Sequence, residues 1–310
     1  MIDRVERGVI VTGAVGFLGG HLARLLSQHG YHVLRIARAR PADDSALPYL
    51  PWDLATSGAI RAGIAHFPES RRPVVAHFAA ALPATASAND EAEAAILNRR
   101  IDDLLFSECV ELGCPILYAS AATAYSPLAE RPQSEADALH PRGPYTAGKL
   151  ESESLGLAMA GRSGVPFSSL RISAPYGSGQ RARTVLQYFV ERALRDLPLT
   201  YYGSGSREQD FIHATDVARA VLAVLQRDRH GIFNIASGHV VTMRRLAEIV
   251  VRAVPGCRSA IEAAGREDPQ EGFRARVSIA KAERELGWTP TMSLADGVRH
   301  LADVVRATMV

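Results

Sequence analysis

A chain of 310 residues can bury a sizeable core in one or two packed units, and its formal net charge of +2 is too small and too evenly spread for a nucleic-acid footprint. No apolar run nears the roughly 20 residues of a membrane span, and the start carries no signal-peptide pattern. Cys109, Cys114 and Cys257 lack metal-ligand spacing. A soluble, cytoplasmic protein with reduced thiols and no metal is therefore expected.

The first element sits at the very start, where residues 8–11 form the short β-branched run of a buried strand. A helix near residues 17–29 follows, with Leu18, Leu22 and Leu25 at helical spacing. Between them, Val9-Ile10-Val11-Thr12-Gly13-Ala14-Val15-Gly16-Phe17-Leu18-Gly19-Gly20-His21-Leu22 places Gly13, Gly16 and Gly19 in the turn. Strand, glycine turn and helix in that order let the backbone approach a pyrophosphate at a helix N-terminus, which predicts a dinucleotide site.

A second strand, residues 31–36, ends in Ala37-Arg38, with Arg40 following. Sites that prefer NAD place an acid near this strand end to bind the ribose hydroxyls. Ala37 occupies that position, whereas Arg38 offers paired donors to a 2′-phosphate. NADP(H) is the preferred cofactor on this reading. NAD(H) stays open if Arg35, Arg38 and Arg40 are only a solvated basic edge.

Further strands at 73–78, 115–119 and 166–172 alternate with helices near 90–112 and 145–160, which implies an α/β, Rossmann-type doubly wound parallel sheet. On the last of these helices Tyr145 and Lys149 stand one turn apart in Gly143-Pro144-Tyr145-Thr146-Ala147-Gly148-Lys149, on one face. A neighbouring ammonium favours the phenolate and lowers the tyrosine pKa from about 10. That would make Tyr145 usable as an acid or base near neutrality. Beyond Ser173 the alternation changes: residues 175–180 read as a loop, 184–195 as an amphipathic helix and 202–205 as a turn.

These motifs are accompanied by Val74-Val75-Ala76-His77-Phe78-Ala79-Ala80, by Asp210-Phe211-Ile212-His213-Ala214-Thr215-Asp216-Val217-Ala218, and by Leu286-Gly287-Trp288-Thr289-Pro290 with Ser293-Leu294-Ala295-Asp296-Gly297. Along nearly its whole length the chain resembles an extended short-chain dehydrogenase/reductase, of the branch that holds nucleotide-sugar epimerases, dehydratases and 4-ketoreductases. The resemblance implies a dinucleotide-binding domain of residues 1–173 and 208–236. Interleaved with it would be a smaller substrate-binding domain of 174–207 and 237–310, the chain returning to the sheet near 211–226. It also implies that Gly13, Gly16, Phe17, Leu18, Gly19, Asp53, Leu54, Phe78, Ala79, Ala80 and Ile172 line the cofactor with Tyr145 and Lys149, and that Asn98 organises the site. His213 would structure its loop and Asp216 would anchor the following helix. His21, His77 and His140 read as packed or solvated.

Three departures from the family pattern bear on the reaction. In Tyr118-Ala119-Ser120-Ala121-Ala122-Thr123-Ala124-Tyr125, aligned on Tyr125, Ala121 stands where the family carries a catalytic hydroxyl. Ser120 or Thr123 would replace it, Thr123 being preferred because it is also a substrate-contacting position. The acidic pair of the 4,6-dehydratases would fall at Ala122 and Thr123, so dehydration is not expected. Ala174 replaces a family asparagine at the substrate, and Gln209 stands where an arginine binds the nucleotide diphosphate. Arg207, Arg274 and Arg276 remain as candidates for that bidentate task.

The reading that fits best is NADPH-dependent reduction of a 4-keto sugar nucleotide with Tyr145 as proton donor. A nucleotide-sugar 4-epimerase with transient hydride transfer is the alternative; a catalytically impaired NAD(P)-binding protein and a reductase of lipophilic ketones are further ones. Family members often dimerise through the helices here placed at 90–112 and 145–160, so a homodimer is expected.

Overall fold

The apolar runs of the first half are hydrophobic at nearly every position, so they need cover on both faces. The computed structural model describes residues 7–39, 46–68, 72–85, 87–128 and 130–309; Arg40 lies outside them. The first half comprises β1 (Gly8–Thr12), α1 (Phe17–Gln28), β2 (His32–Ala37), β3 (Tyr49–Pro51), α2 (Ala59–Ile64), β4 (Val74–His77), α3 (Ala88–Leu112), β5 (Ile116–Ala121), α4 (Gly143–Ser163) and β6 (Phe167–Ile172). The second half comprises β7 (Ala174–Tyr176), α5 (Val185–Ala193), β8 (Leu199–Tyr201), β9 (Glu208–His213), α6 (Ala214–Arg227), β10 (Gly231–Ile235), β11 (Val240–Thr242), α7 (Met243–Ala253), β12 (Ile261–Ala263), α8 (Ala280–Leu286) and α9 (Leu294–Thr308).

The main sheet is parallel and seven-stranded, in the order β10-β6-β5-β4-β1-β2-β3. Alternation along β1 divides the core: Val9 and Val11 pack with Leu22, Leu26 and Val221 on one face, and Ile10 packs with Leu105, Phe106 and Phe167 on the other. The strand order reverses around β1, whose neighbours are β2 on one side and β4 on the other. A crevice at the carboxyl ends of the strands opens at such a reversal and is where α/β sheets take ligands.

The helix that carries Tyr145 and Lys149 is pinned to the sheet by buried charge. Glu153 of α4 takes Arg171 Nη2 of β6 at 2.6 Å and Ser169 Oγ at 2.6 Å. Arg171 Nη1 in turn donates to Tyr125 Oη at 2.8 Å, just beyond β5. The helix and the loop after β5 are thus held against the same strand.

Long-range pairing altered four sequence expectations. Ala174–Tyr176, which runs into the span 175–180 read as a loop, is a strand; Pro175 lacks a donor, but β7 lies at the edge of a three-stranded sheet, where that is tolerated. The return to the main sheet is not at 211–226. β9 pairs with β7 and β11 in the small sheet, α6 packs on α1, and β10 is the strand that joins β6. Ser120 and Ala121 extend β5 beyond the expected 115–119, in register with Arg171 and Ile172. Asp216 does not cap α6. His213 does so, and Asp216 takes the backbone N–H groups of Thr291 and Met292 at 3.0 and 2.9 Å, tying down the C-terminal segment.

A second core joins Tyr176, Leu186, Phe189, Phe211, Leu246, Val250 and Leu301 from the elements after β6. Leu286 and Trp288 fall in the span assigned to the smaller unit, yet they pack in the first core beside α6. The two units are sewn together by chain that crosses between them.

Candidate active site

The glycine turn forms because no side chain fits there. Gly13 has φ +67, and a Cβ on it would lie 2.6 Å from Ala79 N and 2.7 Å from Phe78 O. A Cβ on Gly19 would lie 2.3 Å from Gly13 O. Gly16 precedes α1, which has no side-chain cap and no acid in its first turn. The helix N-terminus is therefore open to an anion. This cradle fits a dinucleotide pyrophosphate.

Other expected cofactor positions surround the same crevice. Phe17 and Leu18 open α1, half-buried, and Ile172 ends β6, buried. Phe78, Ala79 and Ala80 leave β4 half-buried. Asn98 of α3 clamps the chain just beyond them, donating to Ala81 O at 2.9 Å and accepting Ala81 N–H at 2.7 Å. Arg38 is exposed at the end of β2. Asp53 is exposed and caps its own turn through the Ala55 N–H at 3.0 Å, while Leu54 is buried.

Lys149 is only 5% exposed, and its Nζ sits 4.6 Å from the centre of the Tyr118 ring. It makes no hydrogen bond to a described residue. Burial lowers its pKa, and the charge of Asp102 pulls it back up. Asp102 accepts His77 Nε2 at 2.8 Å and Tyr118 Oη at 2.8 Å. Burial alone would raise Asp102, yet Lys149, His77 and Ser152 leave its carboxyl below the ordinary range.

Tyr145 corrects the sequence expectation. Its pKa is not lowered but pushed up to about 12, by burial first and by the Asp102 charge second. A phenol one turn from a cation loses more by leaving water, and by facing a carboxylate, than that cation returns. Tyr145 is a neutral phenol across the physiological range.

Thr123 is exposed on the 3₁₀ turn after β5, its hydroxyl 3.4 Å from that of Thr146. It lines a cleft with Ala174, Gln209, Asp210, Phe273 and Arg276. The Ser120 hydroxyl is buried and finds no partner among the described residues. The sequence brings Thr123, Ala174 and Gln209 together but leaves two arginines elsewhere. Arg207 is held by Asp268 at 3.3 Å, and Arg276 is clamped through two nitrogens by Glu208 at 2.7 and 2.8 Å. Arg274 is exposed with its side chain outside any ion pair among the described residues.

Sequence reasoning missed Asp102 and its contacts to His77 and Tyr118. A signal existed: Asn98, Asp102 and Phe106 recur every four residues on the buried face of α3. A carboxylate at a core position of a helix demands a partner. Among the described residues no cluster suited to a metal occurs, no helix is long and apolar enough to cross a membrane, and the three cysteines are free.

Residues 9–236 match the model of the NAD dependent epimerase/dehydratase family. The chain belongs to that family. It is 28% identical to dTDP-4-dehydro-6-deoxyglucose reductase of Escherichia coli, over 98% of this chain and 99% of that protein. Among solved structures it is similar to UDP-glucose 4-epimerase of Thermus thermophilus in complex with NAD, at 27% identity, 96% and 99% coverage and a TM-score of 0.81. The fold is also that of UDP-glucose 4-epimerase of Thermotoga maritima, with a TM-score of 0.86 at 23% identity over 98% of this chain and all of that one. The protein is thus an extended short-chain dehydrogenase/reductase with a Rossmann-like parallel sheet. In Gly13→Ala the new methyl group meets the β4–α3 backbone, so NAD(P)H binding measured by fluorescence titration should weaken at least about tenfold, or about 1.4 kcal/mol, in a protein that still melts cooperatively.

Proposed function

We propose that this enzyme reduces the 4-keto group of a sugar nucleotide with NADPH, Tyr145 giving the proton. The observation that carries the reading is the neutral phenol of Tyr145, pushed up to about 12 by burial and by Asp102. A neutral phenol holds the proton that reduction of a carbonyl consumes, and the Lys149 charge one turn away favours its release. The full-length similarity to an E. coli 4-keto sugar nucleotide reductase supports the same direction.

In this reading Gly13, Gly16, Phe17, Leu18 and Gly19 hold the pyrophosphate at the start of α1, and Asp53 and Leu54 flank the adenine. Phe78, Ala79 and Ala80 line the ribose and pyrophosphate, beside Ile172. Arg38, exposed with no acid at Ala37, selects NADPH through its 2′-phosphate. The bound cofactor supplies the hydride. Lys149 orients the nicotinamide ribose, and its charge stabilises the oxyanion left on Tyr145 after proton transfer. Thr123, at the rim of the cleft, takes over from the family hydroxyl replaced by Ala121 and holds the substrate carbonyl oxygen.

The sugar lies in the cleft between Thr123, Ala174 and Gln209. Because Arg207 and Arg276 are engaged by carboxylates, the diphosphate falls to Arg274. No carboxylate stands at Ala122 or Thr123, which argues against dehydration. The 27% identity to the Thermus epimerase keeps 4-epimerisation as the second reading. Packing of α3 against α4 and the exposure of Ile96, 72%, and Leu97, 39%, on α3 support a homodimer through these helices.

Two measurements test this. Wild-type enzyme should oxidise NADPH in proportion to added 4-keto-6-deoxy sugar nucleotide, with Tyr145→Phe lowering kcat by about 10²–10⁴ while still binding NADPH. Undiminished turnover in Tyr145→Phe, or epimerisation of a UDP-sugar without NADPH consumption, would defeat it. Light scattering at micromolar concentration should give twice the 33.4 kDa chain mass; a monomer mass would defeat the dimer.

A further inference from the structure

Beneath the catalytic pair lies a polar array that proton transfer itself does not use. Thr12, His77, Asp102 and Tyr118 come from β1, β4, α3 and β5, and none is more than 1% exposed. Ala79 N–H donates to Thr12 Oγ1 at 3.3 Å, and Thr12 Oγ1 lies 2.6 Å from His77 Nδ1. His77 Nε2 and Tyr118 Oη then reach the two oxygens of Asp102, each at 2.8 Å.

With His77 a neutral imidazole, one arrangement of protons satisfies every contact. The carboxylate only accepts, so His77 carries its proton on Nε2 and accepts at Nδ1. Thr12 donates to Nδ1 and is left free to accept from Ala79. The chain of bonds therefore runs unbroken from the segment after β4, past the residue before Gly13, to Asp102.

A buried carboxylate is an expensive charge even with two hydrogen-bond donors. What completes it is Lys149, whose field lowers Asp102 and which has no carboxylate within ion-pair distance among the described residues. The groups facing Asp102 are His77 from β4, Tyr118 from β5, and Lys149 and Tyr145 from α4. The buried Ser152 hydroxyl lies beside it without reaching hydrogen-bond geometry.

We propose that Asp102 is a positioning residue whose buried charge keeps Lys149 an ammonium and Tyr145 a phenol, and whose tether through His77 and Thr12 fixes that charge relative to the cofactor turn. The proposal rests on the reading of Lys149 and Tyr145 as the pair beside the nicotinamide and is independent of which sugar binds. The sign follows from charge alone. A negative Asp102 favours the protonated form of both neighbours, so removing it lowers both pKa values and moves both ionisations to lower pH.

The test follows NADPH affinity from neutral into alkaline pH by fluorescence titration, in wild type, Asp102→Asn and Tyr118→Phe. Wild-type affinity should fall as Lys149 loses its proton. In Asp102→Asn the midpoint of that fall should move down by about one pH unit or more, with cooperative melting retained. Tyr118→Phe keeps the charge and the ring and should leave the midpoint in place. Asp102→Ser, a smaller side chain, gives the same reading should the amide fail to fit. An unmoved midpoint in a folded Asp102 variant overturns the proposal alone, as does an equal shift in Tyr118→Phe. Failure of the wild type to bind NADPH at neutral pH removes the catalytic reading together with it.

Discussion

An ammonium only 5% exposed, with no hydrogen bond to a described residue, constrains everything around Lys149. In so little water its charge survives only if fixed groups replace the lost hydration. Two do so: the face of the Tyr118 ring at 4.6 Å and the Asp102 carboxylate that takes the hydroxyl of that ring. The same carboxylate opposes a phenolate at Tyr145. One buried acid thus favours the proton on both the cation and the phenol, adding to burial at Tyr145 and opposing it at Lys149.

The sheet makes that arrangement possible. Parallel strands put the ends of β1, β4, β5 and β6 along one edge, so the glycine turn, the 78–80 segment, the Thr123 turn and Ile172 face one crevice. The Glu153–Arg171 pair then fixes α4 against that edge. Buried ion pairs add little net stability, but breaking one strands a charge. Their value here is in fixing where Tyr145 and Lys149 stand. The cleft beside them is short of free cations, because Asp268 and Glu208 occupy Arg207 and Arg276.

Features encoded locally were legible in the sequence. The glycine spacing of 13, 16 and 19 and the one-turn offset of 145 and 149 are properties of a few adjacent residues, and both sit where the motifs place them. What escaped depends on partners far along the chain. Asp102 meets His77 and Tyr118 only once α3 lies on β4 and β5. β10 takes the edge beside β6 because α6 carries the chain back across the sheet, a crossover that residues 211–226 do not announce. Pro175 suggested a loop because its missing donor is harmless only at a sheet edge. The direction of the Tyr145 shift was misjudged for the same reason: the lysine was visible as a neighbour, whereas burial and the facing carboxylate are tertiary facts. Between Ser120 and Thr123 the sequence favoured Thr123 only through the family pattern, and the fold puts only Thr123 on the cleft.

The central claim is that Tyr145 gives a proton while hydride passes once, from cofactor to sugar. It is tested most directly by supplying NADPH deuterated at the transferable position together with a 4-keto-6-deoxy sugar nucleotide, and locating the label by nuclear magnetic resonance. The account predicts one deuteron at sugar C4 for each NADPH oxidised. An epimerised sugar that retains its own hydrogen, with no NADPH consumed, would contradict it.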